Sequence, residues 1–217
     1  MNLSIRDFSC CCVANSNNII SYITSCNNFT YFFSSGVYIL RGDIDSGAWA
    51  LCYAISHKSN KVIISESTSF FIDGSKISPK NIYKFVCYIG ERKRNKIFFN
   101  SKFFPYIKKI VKKYKFNISA IELFKLFNID KDYYYRKIKY LGSEYYQLFL
   151  LLLGFIKGKK IFTTSWCGSL NFDCQSLNKI GKILETQGCI LIIPSSCKNN
   201  FDNSFKKIEW SRYRTGD

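Results

Sequence analysis

Two glycines, Gly42 and Gly47, stand between an apolar run, "GVYILR", and a breaker-free helical run, "AWALCYAIS". A strand, a Gly-bounded loop and a helix in that order can cradle a phosphate, because successive backbone N–H groups and the helix N-terminus converge on the anion. Full phosphate chemistry needs two more side chains. A Lys after the second Gly reaches the terminal phosphates, and the hydroxyl that follows holds Mg²⁺. Here Ala48 and Trp49 occupy those places, with Ser46 before the second Gly. Asp43 and Asp45 add carboxylates where an anion would lie. A hydrogen bond to a charged group contributes about 1.5–3 kcal/mol, so the loss of two lowers affinity by roughly two or more orders of magnitude. The stretch reads either as a nucleotide site weakened or lost, or as a plain strand-to-helix turn.

Other reactive residue types lack the spacing that their chemistry needs. The 10 cysteines include no Cys-x-x-Cys pair, and the consecutive Cys10, Cys11 and Cys12 cannot all ligate one ion comfortably, so no metal site is expected. The single histidine, His57, follows the helical run and reads as a helix C-terminal or turn residue rather than a ligand, and its context offers no Ser-His-Asp constellation. No basic, apolar and small-residue succession marks a signal peptide, which points to a reduced, cytosolic chain with buried thiols. The run from Tyr145 to Ile156 falls short of the roughly 20 apolar residues that a bilayer-spanning helix requires.

A net charge of +17 favours nucleic acid, anionic lipid or an acidic protein face, and fits a solvated lysine-rich surface equally well. The Phe98-Phe99 and Phe103-Phe104 pairs with interleaved lysines could stack on single-stranded nucleic acid, but they also suit a helical core.

The elements that position these residues follow from periodicity. "LSIRDFSCCCVA" and "NNIISYITSCNNFTYFF" read as antiparallel strands with polar turns. "GVYILRGD" is a continuous apolar strand of the kind covered on both faces. "KVIISESTSFFIDGSKISP" predicts two short strands and a turn at Asp73-Gly74, and "IYKFVCYIGE" predicts another buried strand. "FFPYIKKIVKKYKF" and "NISAIELFKLFNI" have helical spacing, and Ser119 with Glu122 forms a capping box before the second. The last third alternates: a helix around "YYQLFLLLLGFI", a strand "KKIFTTS", a helix "DCQSLNKIGKILETQG" and a strand "CILIIPSS". The expectation is an α/β chain with a mainly parallel sheet, an antiparallel β N-terminal region and a helical insertion.

In this order the pieces resemble the nucleotide-binding domain of the ATP-binding cassette (ABC) family over nearly the whole chain. "NNFTYFFSSGVYILRGDIDSGAWALCYAIS" resembles its strand, Gly-rich approach and P-loop helix. "FFIDGSKISPKNIYKFVCYIGE" is similar to its Asp-Gly hairpin and the strand before the Q-loop. "YLGSEYYQLFLLLLGFIKGKKIFTTSWCGSLNFD" resembles the signature motif, Walker B strand and D-loop, and "LETQGCILIIPSSC" the last strand before the H-switch. The resemblance implies a P-loop NTPase-like fold, with a core of residues 1–91 and 141–217 and a basic helical subdomain over residues 92–140.

It also assigns positions. The degenerate P-loop is Gly42, Asp43, Asp45, Ser46, Gly47, Ala48 and Trp49. Glu91 stands at the Q-loop Gln, and Leu141, Gly142, Ser143 and Glu144 stand at the signature. Thr164 and Ser165 replace the Walker B Asp and Glu, Leu170 and Asn171 echo the D-loop, and Ser196 stands at the H-switch histidine. Neither hydroxyl in the Walker B place is a general base unaided. Lysine, Mg²⁺ hydroxyl, Mg²⁺ aspartate, catalytic glutamate and histidine are absent together.

The resemblance implies a pseudo-ATPase subunit with no catalytic residue, holding ATP and Mg²⁺ weakly or not at all. Its implied partners are a second cassette or a membrane permease, and its implied place is the cytoplasm, including the inner face of the membrane beside anionic lipid. The alternatives are an ATP-binding transporter subunit active only with an intact partner, and a basic nucleic-acid-binding protein.

Overall fold

The computed structural model describes residues 1–13, 21–42, 46–57, 62–90, 97–167, 171–196, 201–210 and 213–214. Contacts divide the chain into two compact units, residues 1–88 with 160–217 and residues 89–159.

The first unit holds two sheets. In the antiparallel sheet, β1 (Asn2–Val13) pairs along most of its length with β2 (Ser21–Ser34). Alternation sends Leu3 and Ile5 inward, while Arg6 stays outside. A register shift at Asp7, whose φ is 50°, restores the inward sense at Phe8 and Cys10. The chain then enters β3 (Gly36–Arg41) and later returns as β4 (Val62–Ile64), β5 (Ser69–Ile72) and β6 (Ser75–Ile77). Both β4 and β5 pair with β1, and β5 turns into β6 through Asp73 and Gly74, each at positive φ. Three strands thus form where two were expected. The Asp-Gly turn falls as predicted.

The second sheet is wholly parallel. Its order is β10 (Lys206–Glu209), β3, β9 (Ile190–Ser195), β8 (Ile161–Thr163) and β7 (Val86–Tyr88). From β3 the chain runs to the far edge at β7, comes back through β8 and β9, and finishes at β10 beyond β3. Helix α1 (Ala48–Ser56) contacts strands of both sheets, and all but Tyr53 and Ser56 of its nine residues are buried. Such a helix must be apolar all round, which accounts for "AWALCYAIS". Tyr38 and Leu40 of β3 join α1 in one core. Val37, on the alternate face, meets helix α5 (Asn171–Thr186) at Gly181. The apolar run of β3 is therefore a strand covered on both sides.

The expected strand "IYKFVCYIGE" is corrected. Pro79–Lys84 forms a 3-10 helix opened by Pro79, and only Val86–Tyr88 pairs. Proline at the first turn favours that start. The short strand β11 (Tyr213–Arg214) pairs in parallel with β2.

The second unit is helical: α2 (Phe103–Lys113), α3 (Ala120–Leu126) and α4 (Ser143–Ile156). The capping box forms as predicted. Glu122 N–H donates to the Ser119 hydroxyl at 3.3 Å, and Ser119 N–H to the Glu122 carboxylate at 2.9 Å. That bonding holds the Glu122 carboxyl below the usual carboxylate range. Phe103 packs on Phe124 at 4.8 Å and on Phe149 at 5.8 Å, so this member of the second pair lies in the unit's interior. The lysines of α2 at 108, 109, 112 and 113 are exposed. Helix α4 packs its long apolar face against α2. Among the described residues no helix is long and apolar enough to cross a membrane.

Candidate functional site

The C-terminal ends of β3, β9 and β8 lie side by side in the first unit, so the loops that follow them share one rim. Ligands of open α/β sheets bind outside these strand ends, where the strand order reverses. Here β3 leaves for α1 while its neighbour β9 arrives last but one, which makes the β3–β9 rim the candidate site.

Gly42 opens that rim. Its N–H donates to the Ser195 carbonyl at 3.2 Å, tying the end of β3 to the end of β9. A Cβ at Gly42 would stand 2.6 Å from Ser46 Cβ and 2.6 Å from the Trp210 carbonyl oxygen, so only glycine fits the turn. Gly47 caps α1 with φ at 86°, a left-handed conformation that glycine adopts without strain. Between them, Ser46 is buried and its hydroxyl accepts the Ala48 N–H at 3.4 Å. Ala48 is fully buried and Trp49 is 8 % exposed, stacked on Tyr53 at 4.9 Å. The two side chains after the loop therefore enter the core. Asp43 and Asp45 lie outside the described residues.

At β8, the Thr163 hydroxyl donates to the Cys52 carbonyl of α1 at 3.1 Å. Thr164 is buried and its hydroxyl donates to the Ser165 carbonyl at 2.9 Å. Ser165 is half-buried. The Ser195 hydroxyl donates to the Cys167 carbonyl at 2.9 Å, and Ser196 just beyond is exposed. Leu170 and Glu91 lie outside the described residues, as does the side chain of Asn171, the first residue of α5.

Arg41 pairs with Glu209 of β10 at 3.1 Å. His57 sits at the end of α1, with Nδ1 2.9 Å from the Tyr53 carbonyl and its ring stacked on Tyr53 at 3.9 Å, as suits a helix-end residue. Burial pushes the Cys52 thiol far above its ordinary value. Among the described residues no group of His, Cys, Asp or Glu could hold a metal ion.

In the helical unit, Gly142 caps α4, Leu141 is buried, and Gly142 and Ser143 are exposed. Glu144 lies in the first turn, where its charge complements the helix dipole. Nothing stands within 4 Å of a Cβ placed on Gly142.

Two features of the rim escaped the sequence. Trp210, just past β10, donates its backbone N–H to the Arg41 carbonyl at 2.6 Å, stacks on Tyr31 at 4.7 Å and presses its carbonyl toward Gly42. A lone Trp after a mostly polar stretch carries no pattern that announces this. The thiols of Cys167 and Cys174 lie 3.4 Å apart, a proximity set by the return of α5 rather than by a recognised spacing.

Solved structures share this architecture. A protein of Pyrococcus furiosus assigned as an ABC transporter ATP-binding protein superposes with a TM-score of 0.64, covering 97 % of this chain and 100 % of its own, at 14 % identity. The ADP conformation of MJ1267, an ATP-binding cassette of an ABC transporter, gives 0.58 over 89 % of this chain and 82 % of its own, at 9 % identity. CbiO1 of Clostridium perfringens, part of the ABC transporter complex cbiONQ, gives 0.59 over 90 % of this chain and 78 % of its own, at 12 % identity. No protein-family model and no curated protein matches the sequence. The chain has the fold of an ABC transporter ATP-binding cassette, with a parallel five-stranded sheet and an antiparallel N-terminal sheet.

Proposed function

We propose that this cassette-like chain is a binding subunit that does not hydrolyse ATP and that works by pairing with a second cassette-type domain or a membrane permease. The observation that carries this reading is the burial of Ala48 and Trp49 directly after Gly47. The residue types that would grip a terminal phosphate and Mg²⁺ are replaced by side chains that fill the core. Thr164 turns its hydroxyl onto the backbone, and no carboxylate stands at the described end of β8. The residues present do not fit Mg·ATP, and no hydrolytic step is assigned to them. CbiO1, a structural neighbour, is part of a multi-component transporter, which supports a partner for this chain as well. The exposed lysines of α2 suit an anionic leaflet beside such a permease.

The test is turnover of ATP by the purified chain with Mg²⁺. The expected rate is the buffer background, unchanged by Gly47→Val. Mg²⁺-dependent turnover that vanishes in Gly47→Val overturns the reading. A second reading, a subunit that completes an intact partner's site, is favoured by the exposed Gly142 and Ser143 at the start of α4. It requires that adding an intact cassette restore turnover, and that Gly142→Trp abolish the gain.

A further inference from the structure

The outer face of the antiparallel sheet carries a groove of about 520 Å³ that lies away from the β3–β9 rim, at the start of β1 and the end of β2. Its volume falls in the range of small-molecule sites, about 300–1,000 Å³. Ser4 is its floor. Directly opposite Ser4 on the two flanking strands stand Phe32 of β2 and Phe71 of β5. Strands lie about 4.8 Å apart, so these two rings rise from backbones roughly 10 Å apart with only a serine between them. A planar ring stacked against both walls needs about 7–8 Å, two contacts of roughly 3.5–4.0 Å. Phe32 is 69 % exposed, an unusual position for a bare phenylalanine on a sheet face. The Ser4 hydroxyl itself is enclosed, so the rings and the cations, rather than that hydroxyl, would make the contacts to a ligand.

Charge at the two ends of the groove has one sign. Arg6 lies over the Phe71 ring at 4.9 Å. At the other end Lys206 Nζ donates to the Tyr38 hydroxyl at 3.1 Å and to the Ser34 hydroxyl at 3.2 Å. Tyr38 is 3 % exposed, and its hydroxyl also accepts the Ser34 N–H at 2.8 Å, so the ammonium is held on a fixed support. Neither Arg6 nor Lys206 has a carboxylate partner among the described residues. Asp73, beside the groove's Gly74, is turned onto the Asn2 N–H at 2.7 Å.

We propose that this groove binds a small planar aromatic anion, its ring between Phe32 and Phe71 and its acidic group on Lys206, Ser34 and Tyr38. Two unneutralised cations and no facing acid select the charge. The paired rings over a small floor residue select the flat shape. Concavity and size favour a small molecule over a protein surface, which would need a broader apolar patch.

The full chain is titrated with 2-naphthoate and, separately, with its uncharged isostere 2-naphthamide, read by intrinsic fluorescence and by saturation-transfer NMR. The expected result is saturable binding of naphthoate about tenfold tighter than naphthamide. Lys206→Gln should bring the two within about twofold of each other, and Ser4→Leu should abolish saturable binding of both. Lys206 is exposed, so Lys206→Gln should keep the thermal unfolding midpoint of the parent, and the midpoint of Ser4→Leu is measured beside its binding. Arg6→Gln serves as a second charge variant if either unfolds. Equal binding of the two probes overturns the proposal. So does a preference that survives in Lys206→Gln, or an absence of saturable binding into the millimolar range. A concentration-dependent dimer that Phe32→Ala dissolves, without naphthoate binding, would assign the groove to a second copy of the chain and overturn it equally.

Discussion

Replacing Gly42 by Ala asks whether the loop after β3 is filled by the protein's own atoms. The added methyl would stand 2.6 Å from Ser46 Cβ, 2.7 Å from Ser46 Oγ and 2.6 Å from the Trp210 carbonyl oxygen, where about 3.5–4.0 Å is comfortable. Ser46 is buried and bonded to Ala48, so it has little room to turn. The Trp210 backbone is pinned by its own 2.6 Å bond to Arg41 and by the Tyr31 stack. Overpacking of this kind costs about 1–3 kcal/mol. An alanine at an unstrained glycine site would instead stabilise by about 0.4–1 kcal/mol through the unfolded chain. The sign of the change is therefore diagnostic. We expect Gly42→Ala to lose about 1–2 kcal/mol net and, for a chain of this size, to lower Tm by roughly 2–8 °C. Urea unfolding followed by tryptophan fluorescence measures it. Gly142→Ser is the control, with nothing within 4 Å and φ at −62°, and should stay within about 0.5 kcal/mol of the parent because serine also suits a helix N-cap. A Gly42→Ala variant as stable as the parent, or more so, refutes the closed-loop geometry.

Further outcomes follow from charge and burial. Lys182 and the Ser204 bonds hold the Asp202 carboxyl below its ordinary value of 3.8, so its contribution is present above that value and is lost as pH falls through the lowered one. Acid unfolding monitored by circular dichroism should accordingly begin at higher pH in Asp202→Asn, and identical curves would dismiss the Lys182 contact. Complete burial pushes the Cys52 thiol up, so Cys52 should resist alkylation until the chain unfolds, while the half-buried Cys11 reacts in the native state. Peptide mapping after a brief iodoacetamide pulse settles the order, and early labelling of Cys52 would contradict the packing of α1.

Much of the frame was legible because single segments carry their own instructions. The unbroken apolar run of β3 could satisfy only a strand covered twice. Ser119 with Glu122 marked the start of α3 without help from the rest of the chain, and Asp73-Gly74 fixed a turn by φ alone. What escaped was set by distant neighbours. β10 reads "KKIE" and exposes three of its four residues, so its pairing with β3 rests on edge hydrogen bonds that leave no hydrophobic pattern. Pro79–Lys84 has strand-like residues, and the proline decides for a 3-10 helix. At the rim, glycine spacing gave the position of the turn and the residue types after it. The burial of Ala48 and Trp49 and the approach of Trp210 depend on two sheets closing over α1 and on a segment far along the chain.

The central proposal is that this chain, which buries Ala48 and Trp49 directly after Gly47, lacks the side chains that hold a magnesium-bound triphosphate. Isothermal titration of the purified chain with ATP, in the presence and absence of Mg²⁺, tests it most directly. The expectation is no saturable heat below the millimolar range and no difference between the two titrations. Saturation at micromolar ATP only when Mg²⁺ is added, a gain of about 4 kcal/mol over that limit, would contradict it.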